Sequence, residues 1–454
     1  MKYKETKIDM LSGPLAKKLL LFTLPIALSS MLQQLFNAAD TSIVGYFDSS
    51  DALAAVGTNG EIIALIVTLS SGLSVGANIL IASLIGQKKT EKIPLILHTS
   101  IALSAIIGIL GLLAGQFVTT PLLTMIRTPE TILGAATVYL RIYFLGYPFL
   151  LLYDFGSAIL RARGDSRYPF LVLTGSGIIN VLLNLFFVVV LHIGVAGVAI
   201  ATDLSTACSA ILVLNRLRKD SGAFHLSVQS LRIEREDALH ILKIGIPSAI
   251  QGAVFCFANI FVQAAVNRFG SIAIAGSTIA MNFEYFTYYV ITAFGQTTAT
   301  FISQNYAAGQ RKRCKKILWY ALFFSLFFSM ILIEPIVYFR DSFCGIFSTE
   351  SAVIQAAGLR IVCILFFEPL CNVYEILAGV LRGSGHALLP AIMTIVGTCA
   401  FRIIWICTVF AQHMQLSVLY AAFPLSWVLT SALMLGSFLM LWPLRTHPED
   451  ESGF

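Results

Sequence analysis

The chain has 454 residues, of which 57% are hydrophobic and only 12% charged, and it carries a net charge of +6. A water-soluble protein of this length needs roughly a quarter of its residues charged to cover its surface, so the composition excludes a soluble globular enzyme and points to a polytopic membrane protein. The eight cysteines are scattered along apolar segments with no Cys-x-x-Cys or ligand-like spacing, which speaks against a disulfide framework or a metal centre.

Apolar stretches long enough to cross a bilayer as helices follow one another at 15–45, 53–84, 93–120, 132–161, 169–191 and 195–215. A second set lies at 240–266, 272–306, 316–338, 351–382, 388–410 and 416–441. Helices are the expected spanning element, because irregular backbone in lipid leaves peptide groups unpaired. The expected fold class is therefore all-α polytopic, with twelve transmembrane helices in two six-helix lobes. The most polar stretch separates them, giving an amino-terminal lobe at 1–216, a cytoplasmic linker at 217–238 and a carboxy-terminal lobe at 239–454. An even number of spans per lobe implies a pseudo-two-fold axis along the membrane normal, with a cavity between the lobes.

Basic residues gather at the amino terminus (Lys2, Lys4, Lys7, Lys17, Lys18), after the second span (Lys88, Lys89, Lys92), after the fourth (Arg161, Arg163, Arg167), in the linker and after the eighth. The alternate loops hold little beyond Arg127, Arg268 and Arg340. By the positive-inside rule both termini are cytoplasmic, as in a multi-pass protein of the cell membrane. No cleavable signal is expected, since Met1 to Lys18 is polar and basic. Every basic run sits at a membrane border, which favours lipid headgroups over nucleic acid as neighbours.

The two halves repeat one another. Leu24-Pro25-Ile26-Ala27 returns as Ile246-Pro247-Ser248-Ala249, and Tyr153-Asp154 with Leu160-Arg161 and Gly164 returns as Tyr374-Glu375 with Leu381-Arg382 and Gly385. Gly86-Gln87-Lys88 matches Gly309-Gln310-Arg311, and Glu61 matches Glu284. Yet Asp40 faces Val262 in its copy, Asn180 faces Arg402, and Asp203 faces Pro424. Features kept twice read as scaffold, whereas those present once are the better candidates for function.

An ionisable side chain inside a span costs several kcal/mol unless it has a partner or a wet cavity. At 1.5 Å per residue, Asp40, Asn180, Asn184, Thr202, Asp203 and Glu61 share one outer slab of the first half. Asn180 and Asn184 are spaced i, i+4 and share a helix face, whereas Thr202 and Asp203 point in different directions. The functional reading is a proton or cation coupling site at Asp40, Asn180, Asn184, Thr202 and Asp203; the structural reading is a satisfied hydrogen-bond network. Gln34, Glu61 and Glu284 are candidates for lining a substrate cavity. Asp154 and Glu375, each seven residues before an arginine, read as structural polar groups. Arg402, taken as the one deeply buried cation, is expected to pair with Glu375 or Glu368. No His/Cys/carboxylate cluster suggests catalysis and no phosphate-binding loop suggests an ATP pump, so neither an enzyme nor a resident cofactor is expected.

Gly13-Pro14-Leu15 leading to Phe22-Thr23-Leu24-Pro25, Asp40 to Gly45, Ala52 to Gly57 and Gly194 to Thr202 resemble segments of the multidrug and toxic compound extrusion (MATE) family, in order and over essentially the whole chain. The resemblance implies a two-lobed secondary exporter that exchanges protons or sodium for lipophilic, often cationic, organic compounds by alternating access. It also places the family's amino-lobe site on Asp40, Asn180, Asn184 and Thr202. One departure concerns Asn184, where the family often has aspartate. That change removes a hard anionic oxygen and weakens the case for sodium at Asp40, Asn180 and Thr202, leaving the proton as the expected coupling ion. The carboxy-lobe acids of some members have no clear equivalent, since Phe255 and Cys371 fall near those places. The expected partners are small amphiphilic organic compounds and membrane lipids, and the expected state is a monomer. The competing reading is a flippase for a lipid-linked precursor on the same superfamily scaffold.

Overall fold

The computed structural model describes residues 7–126, 128–441 and 444. Lys2, Lys4 and Arg127 of the charge pattern lie outside them. Sixteen α-helices appear among the described residues, with no strand. The first half holds α1 (Leu15–Phe47), α2 (Ser50–Gly86), α3 (Ile93–Met125), α4 (Glu130–Leu145), α5 (Tyr147–Ala162), α6 (Arg167–Leu185) and α7 (Val195–Arg218). The second holds α8 (Arg235–Val266), α9 (Ser271–Ala307), α10 (Arg311–Tyr338), α11 (Arg340–Gly345), α12 (Ser351–Cys363), α13 (Cys371–Gly383), α14 (Leu388–Thr394), α15 (Phe401–Trp405) and α16 (Leu416–Leu441).

Ten helical stretches among the described residues are long and apolar enough to cross a membrane, and α4 with α5 makes an eleventh, bent by 44°. The twelfth expected span is α9, which has Ser, Thr, Asn or Gln at thirteen of its 37 positions and buries twenty of its residues. The bend falls at Gly146, followed by Pro148, which lacks the N–H needed to continue α4. A Cβ built on Gly108 of α3 would come within 2.6 Å of Pro148 Cα, so α3 fits closely against the bend. At the matching place in the second half, the six-residue 3₁₀ turn Leu365–Leu370 carries Pro369 between α12 and α13.

The repeated Leu-Arg-x-x-Gly is a repeated helix terminator. Gly164 and Gly385 have φ of +97° and +94°, the left-handed cap glycine tolerates best. In each copy the following N–H reaches back into the last turn, from Asp165 to Leu160 O at 2.9 Å and from His386 to Leu381 O at 2.8 Å. The repeated Gly-Gln pair is less faithful. The left-handed residue is Gly309 in one copy and Lys88 in the other, so the structural register runs two residues past Gly86.

By contacts the chain forms two compact units, and their membership crosses the halves. One contains Leu28–Ala249 and the segment ending at Asp9; the other contains Met10–Ala27 and Ile250 onward. The two changeovers inside helices, after Ala27 and after Ala249, each lie two residues past a helix-interior proline, Pro25 in α1 and Pro247 in α8. In the first unit the early part of α8 packs on α2 through glycines. A Cβ on Gly76 would fall 2.1 Å from Ile241 O, and one on Gly245 would fall 2.5 Å from Leu73 O. In the second unit the early part of α1 packs on α9. Phe22 meets Phe301 edge-on at 5.5 Å, Thr23 Oγ1 donates to Thr297 Oγ1 at 2.9 Å, and Asn305 Nδ2 donates to Met10 O at 3.2 Å.

The polar stretch after α7 folds back onto the start of α3 within the first unit. Ser227 N–H donates to His98 Nε2 at 3.0 Å and Glu234 N–H to Thr99 Oγ1 at 3.2 Å. Asp220 accepts from Arg163 at the end of α5. Burial raises the Asp220 carboxyl, but the Gly222 N–H and the Arg163 guanidinium outweigh it and hold the group below its usual value.

Candidate functional site

In the first unit, Asp40 lies on the last turns of α1 and is 6% exposed. Asn184 Nδ2 donates to its Oδ1 at 2.5 Å, and Thr202 Oγ1 from α7 lies 3.3 Å from its Oδ2. Asn184 also donates to Asn180 Oδ1 at 3.3 Å, and Asn180 Nδ2 donates to Thr202 Oγ1 at 3.3 Å. The i, i+4 pair on α6 thus faces α1 and α7 together, immediately before a π-helical turn at Phe186–Val190, a distortion common at functional sites.

Two features leave this cluster able to accept one more hydrogen or cation. The Thr202 hydroxyl has one proton but two acceptors in reach, Asp40 and Val198 O at 3.0 Å. The Asn184 Oδ1 is buried and has no hydrogen-bond partner among the described residues. Burying Asp40 among neutral donors leaves its charge without a counter-ion in the cluster. Proton uptake would remove that charge and give the carboxyl a hydrogen to donate.

Asp203 and Glu61 do not join the cluster. Asp203 is the next residue after Thr202, so its side chain leaves α7 about 100° away and lies against the Gly146 bend. A Cβ on Gly146 would fall 2.1 Å from Asp203 Oδ1. Glu61 is exposed on α2. Gln34 is half-buried on α1, six residues before Asp40. Asp154 of α5 accepts from Ser70 Oγ of α2 at 2.6 Å.

The second unit places a different chemistry at the corresponding positions. Val262 is buried and lines a pocket of about 590 Å³, counting its open mouth, together with Phe255, Asn259, Glu284, Tyr288, Arg360, Glu368, Arg402, Phe423 and Trp427. Glu284 is among the residues lining that pocket, and both its oxygens are taken by Arg360, from Nε at 2.7 Å and Nη2 at 2.8 Å. Ser277 Oγ accepts from Arg360 Nη1 at 2.6 Å. Arg402 departs from expectation: it pairs with neither Glu375 nor Glu368. Its Nε donates to Ser426 Oγ at 3.1 Å and its Nη1 to Asn259 Oδ1 at 3.2 Å, while its face lies over Phe423 at 4.0 Å. The two acids are engaged elsewhere: Glu375 with Arg382 at 3.6 Å and Tyr288 at 3.1 Å, Glu368 with Thr287. Nor is Arg402 the one buried cation of the spans, because Arg360 is only 3% exposed. An arginine inside the apolar run 351–382 was the available signal for Arg360. The roles of Asn259 and Gly146 had no signal in local sequence.

The MatE family model matches residues 25–186 and 247–408, each match beginning on one of the repeated prolines. A probable multidrug resistance protein of Bacillus subtilis, YoeA, is 25% identical over 431 residues, covering 93% of each chain. An FAD transporter of Shewanella oneidensis is 27% identical over 356 residues, 76% of this chain and 77% of that one. A solved MOP superfamily transporter from Pyrococcus furiosus superimposes with a TM-score of 0.90 at 20% identity, covering 98% of this chain and 100% of that one.

Proposed function

Because the chain belongs to the MatE family, whose model matches both halves, we propose that it is a secondary exporter exchanging protons for lipophilic, often cationic, organic compounds by alternating access. The observation that carries this reading is the convergence of Asn184 and Thr202 on a buried Asp40 whose copy in the repeat is Val262. A carboxylate that packing does not require at the equivalent position is a candidate for exchanging a proton with each cycle. Binding compounds more strongly in one protonation state than in the other would couple the two flows.

A proton suits the cluster better than sodium. Asp40 receives an amide N–H and faces a hydroxyl, and the cluster holds one carboxylate where a hard cation gains from more anionic oxygens. In this reading the protein is a monomer of the cell membrane with both termini in the cytoplasm, and it works without a cofactor. Names among the relatives range from multidrug resistance to FAD transport, so family membership alone leaves the charge of the substrate open. The flippase reading of the sequence stands as the alternative, and a second buried arginine in the carboxy-half pocket keeps it testable.

The deciding experiment is ethidium efflux from proteoliposomes holding the full chain, with a pH gradient or a sodium gradient imposed separately. A pH gradient is expected to drive efflux, and Asp40→Asn is expected to lower that rate at least about tenfold while leaving the purified protein monodisperse. Normal efflux by that variant would sink the coupling assignment, and no efflux under either gradient would sink the exporter reading.

A further inference from the structure

The carboxy-half pocket holds two buried guanidinium groups, and they are treated differently. Arg360 meets a carboxylate squarely: both oxygens of Glu284 are within 2.8 Å of its nitrogens. Arg402 is fully buried and, among the described residues, hydrogen-bonds only to the neutral Ser426 and Asn259. Its remaining nitrogen, Nη2, has no hydrogen-bond partner among the described residues. A guanidinium cannot shed its charge by losing a proton. A buried charge without a counter-ion costs several kcal/mol, and an unmet buried donor adds to that cost.

The surroundings of Arg402 are flat and aromatic. Its charge lies 4.0 Å from the Phe423 ring centroid, 5.6 Å from Phe255 and 5.9 Å from Trp427. Phe255 and Tyr288 line the same pocket with their rings parallel to within 2°. Arg402 sits on the short helix α15, between π-helical turns at Ile395–Ala400 and Ile406–Phe410.

We propose that this pocket binds the anionic end of a planar aromatic compound, with Arg402 Nη2 donating to a carboxylate, sulfonate or phosphate oxygen and the aromatic walls holding the ring system. Charge-assisted hydrogen bonds from arginine to such oxyanions are among the stronger polar contacts available to a protein. Glu368 also lines the pocket, bonded to Thr287, and would favour a cation. It differs from Arg402 in one respect: a carboxyl in an apolar setting can neutralise itself by taking a proton, and an arginine keeps its charge. With Arg360 already cancelled by Glu284, the permanent uncompensated charge in the pocket is positive.

This inference rests on the exporter reading only in supplying its substrate class; the binding itself is testable without transport. Two probes share a xanthene skeleton and differ in charge: fluorescein is an anion and rhodamine 123 a cation. Binding of each to the purified full chain is read by fluorescence anisotropy. Arg402→Gln is expected to weaken fluorescein binding at least tenfold and to change rhodamine binding less than twofold. Glu368→Gln, which leaves Arg402 in place, is expected to bind fluorescein at least as tightly as the wild type. Arg402→Gln with unchanged fluorescein affinity overturns the proposal, as does equal loss of both probes, or a weakening by Glu368→Gln. A chain that binds fluorescein through Arg402 but moves no compound under either gradient upholds this inference and defeats the exporter reading. Proton-driven ethidium efflux combined with an Arg402-independent fluorescein affinity does the reverse.

Discussion

At the scale of single residues, the two halves act as each other's control. Asp40 stood out because its copy is Val262, and the structure surrounds it with Asn184 and Thr202. Asn184 is the residue most directly tied to ion choice, since its amide contacts Asp40. Asn184→Asp would add a second anionic oxygen within hydrogen-bond reach of the first, the arrangement a hard cation seeks. A sodium gradient is then expected to drive ethidium efflux about tenfold faster than in the wild type; an unchanged ion preference argues that the cluster does not choose the ion. The members of this cluster were legible because each is a polar residue at a similar depth in an apolar run. The fates of Glu284 and Arg402 were not, because whether a buried charge finds an opposite charge depends on which helices meet. Glu284 found Arg360 from another helix, while Arg402 found none among the described residues.

At the scale of elements, both halves interrupt the fourth span, and each puts a carboxyl group at the interruption by a different route. In the first half the carboxyl comes from Asp203 of α7, lying against Gly146. In the second it belongs to the break itself, at Glu368 in the turn Leu365–Leu370, while the copy of Asp203 has become Pro424. A carboxylate near the start of a helix is favoured by the exposed N–H groups there, which gives Asp203 a positioning role apart from Asp40. Gly146→Ala would drive its new Cβ to 2.1 Å from Asp203 Oδ1, and a short side chain such as Asp203 has little room to yield. Loss of thermal stability is the expected outcome, on the order of 1–3 kcal/mol as for other overpacked sites. An unchanged melting temperature would show that Asp203 does not need this contact. The helical spans could be read from apolar length alone, and the breaks hinted at themselves through Pro148 and Pro369. What local sequence could not reveal is how much of α9 is buried, because its burial is a property of its neighbours.

At the scale of the whole molecule, the compact units do not follow the order of the chain. The segment Met10–Ala27 belongs with α9 and the rest of the second unit, while the start of α8 belongs with α2 in the first. Nothing in composition marks this exchange; only the prolines at 25 and 247 stand beside the two crossing points that fall inside helices. Phe22 tests it, being fully buried against Phe301. Phe22→Ala is expected to cost about 3 kcal/mol and to lower the melting temperature of the purified chain. Leu24→Ala, at a side chain 58% exposed, is expected to leave it within a degree. Equal effects of the two would mean that the start of α1 contributes little to the second unit.

The exchange has a consequence for the order in which the protein is made. When α8 emerges from the ribosome, its partner α2 is already complete, so Gly76 and Ile241 can meet at once. The start of α1 has the opposite experience. Thr23 bonds to Thr297, 274 positions later, and at synthesis rates of roughly 5–20 residues per second that wait is about 14–55 s. For that interval the first helix of the chain has its own final partner still unwritten, and its apolar face must be sheltered by lipid or by the insertion machinery. The beginning of this polypeptide is among the last of its parts to find its place.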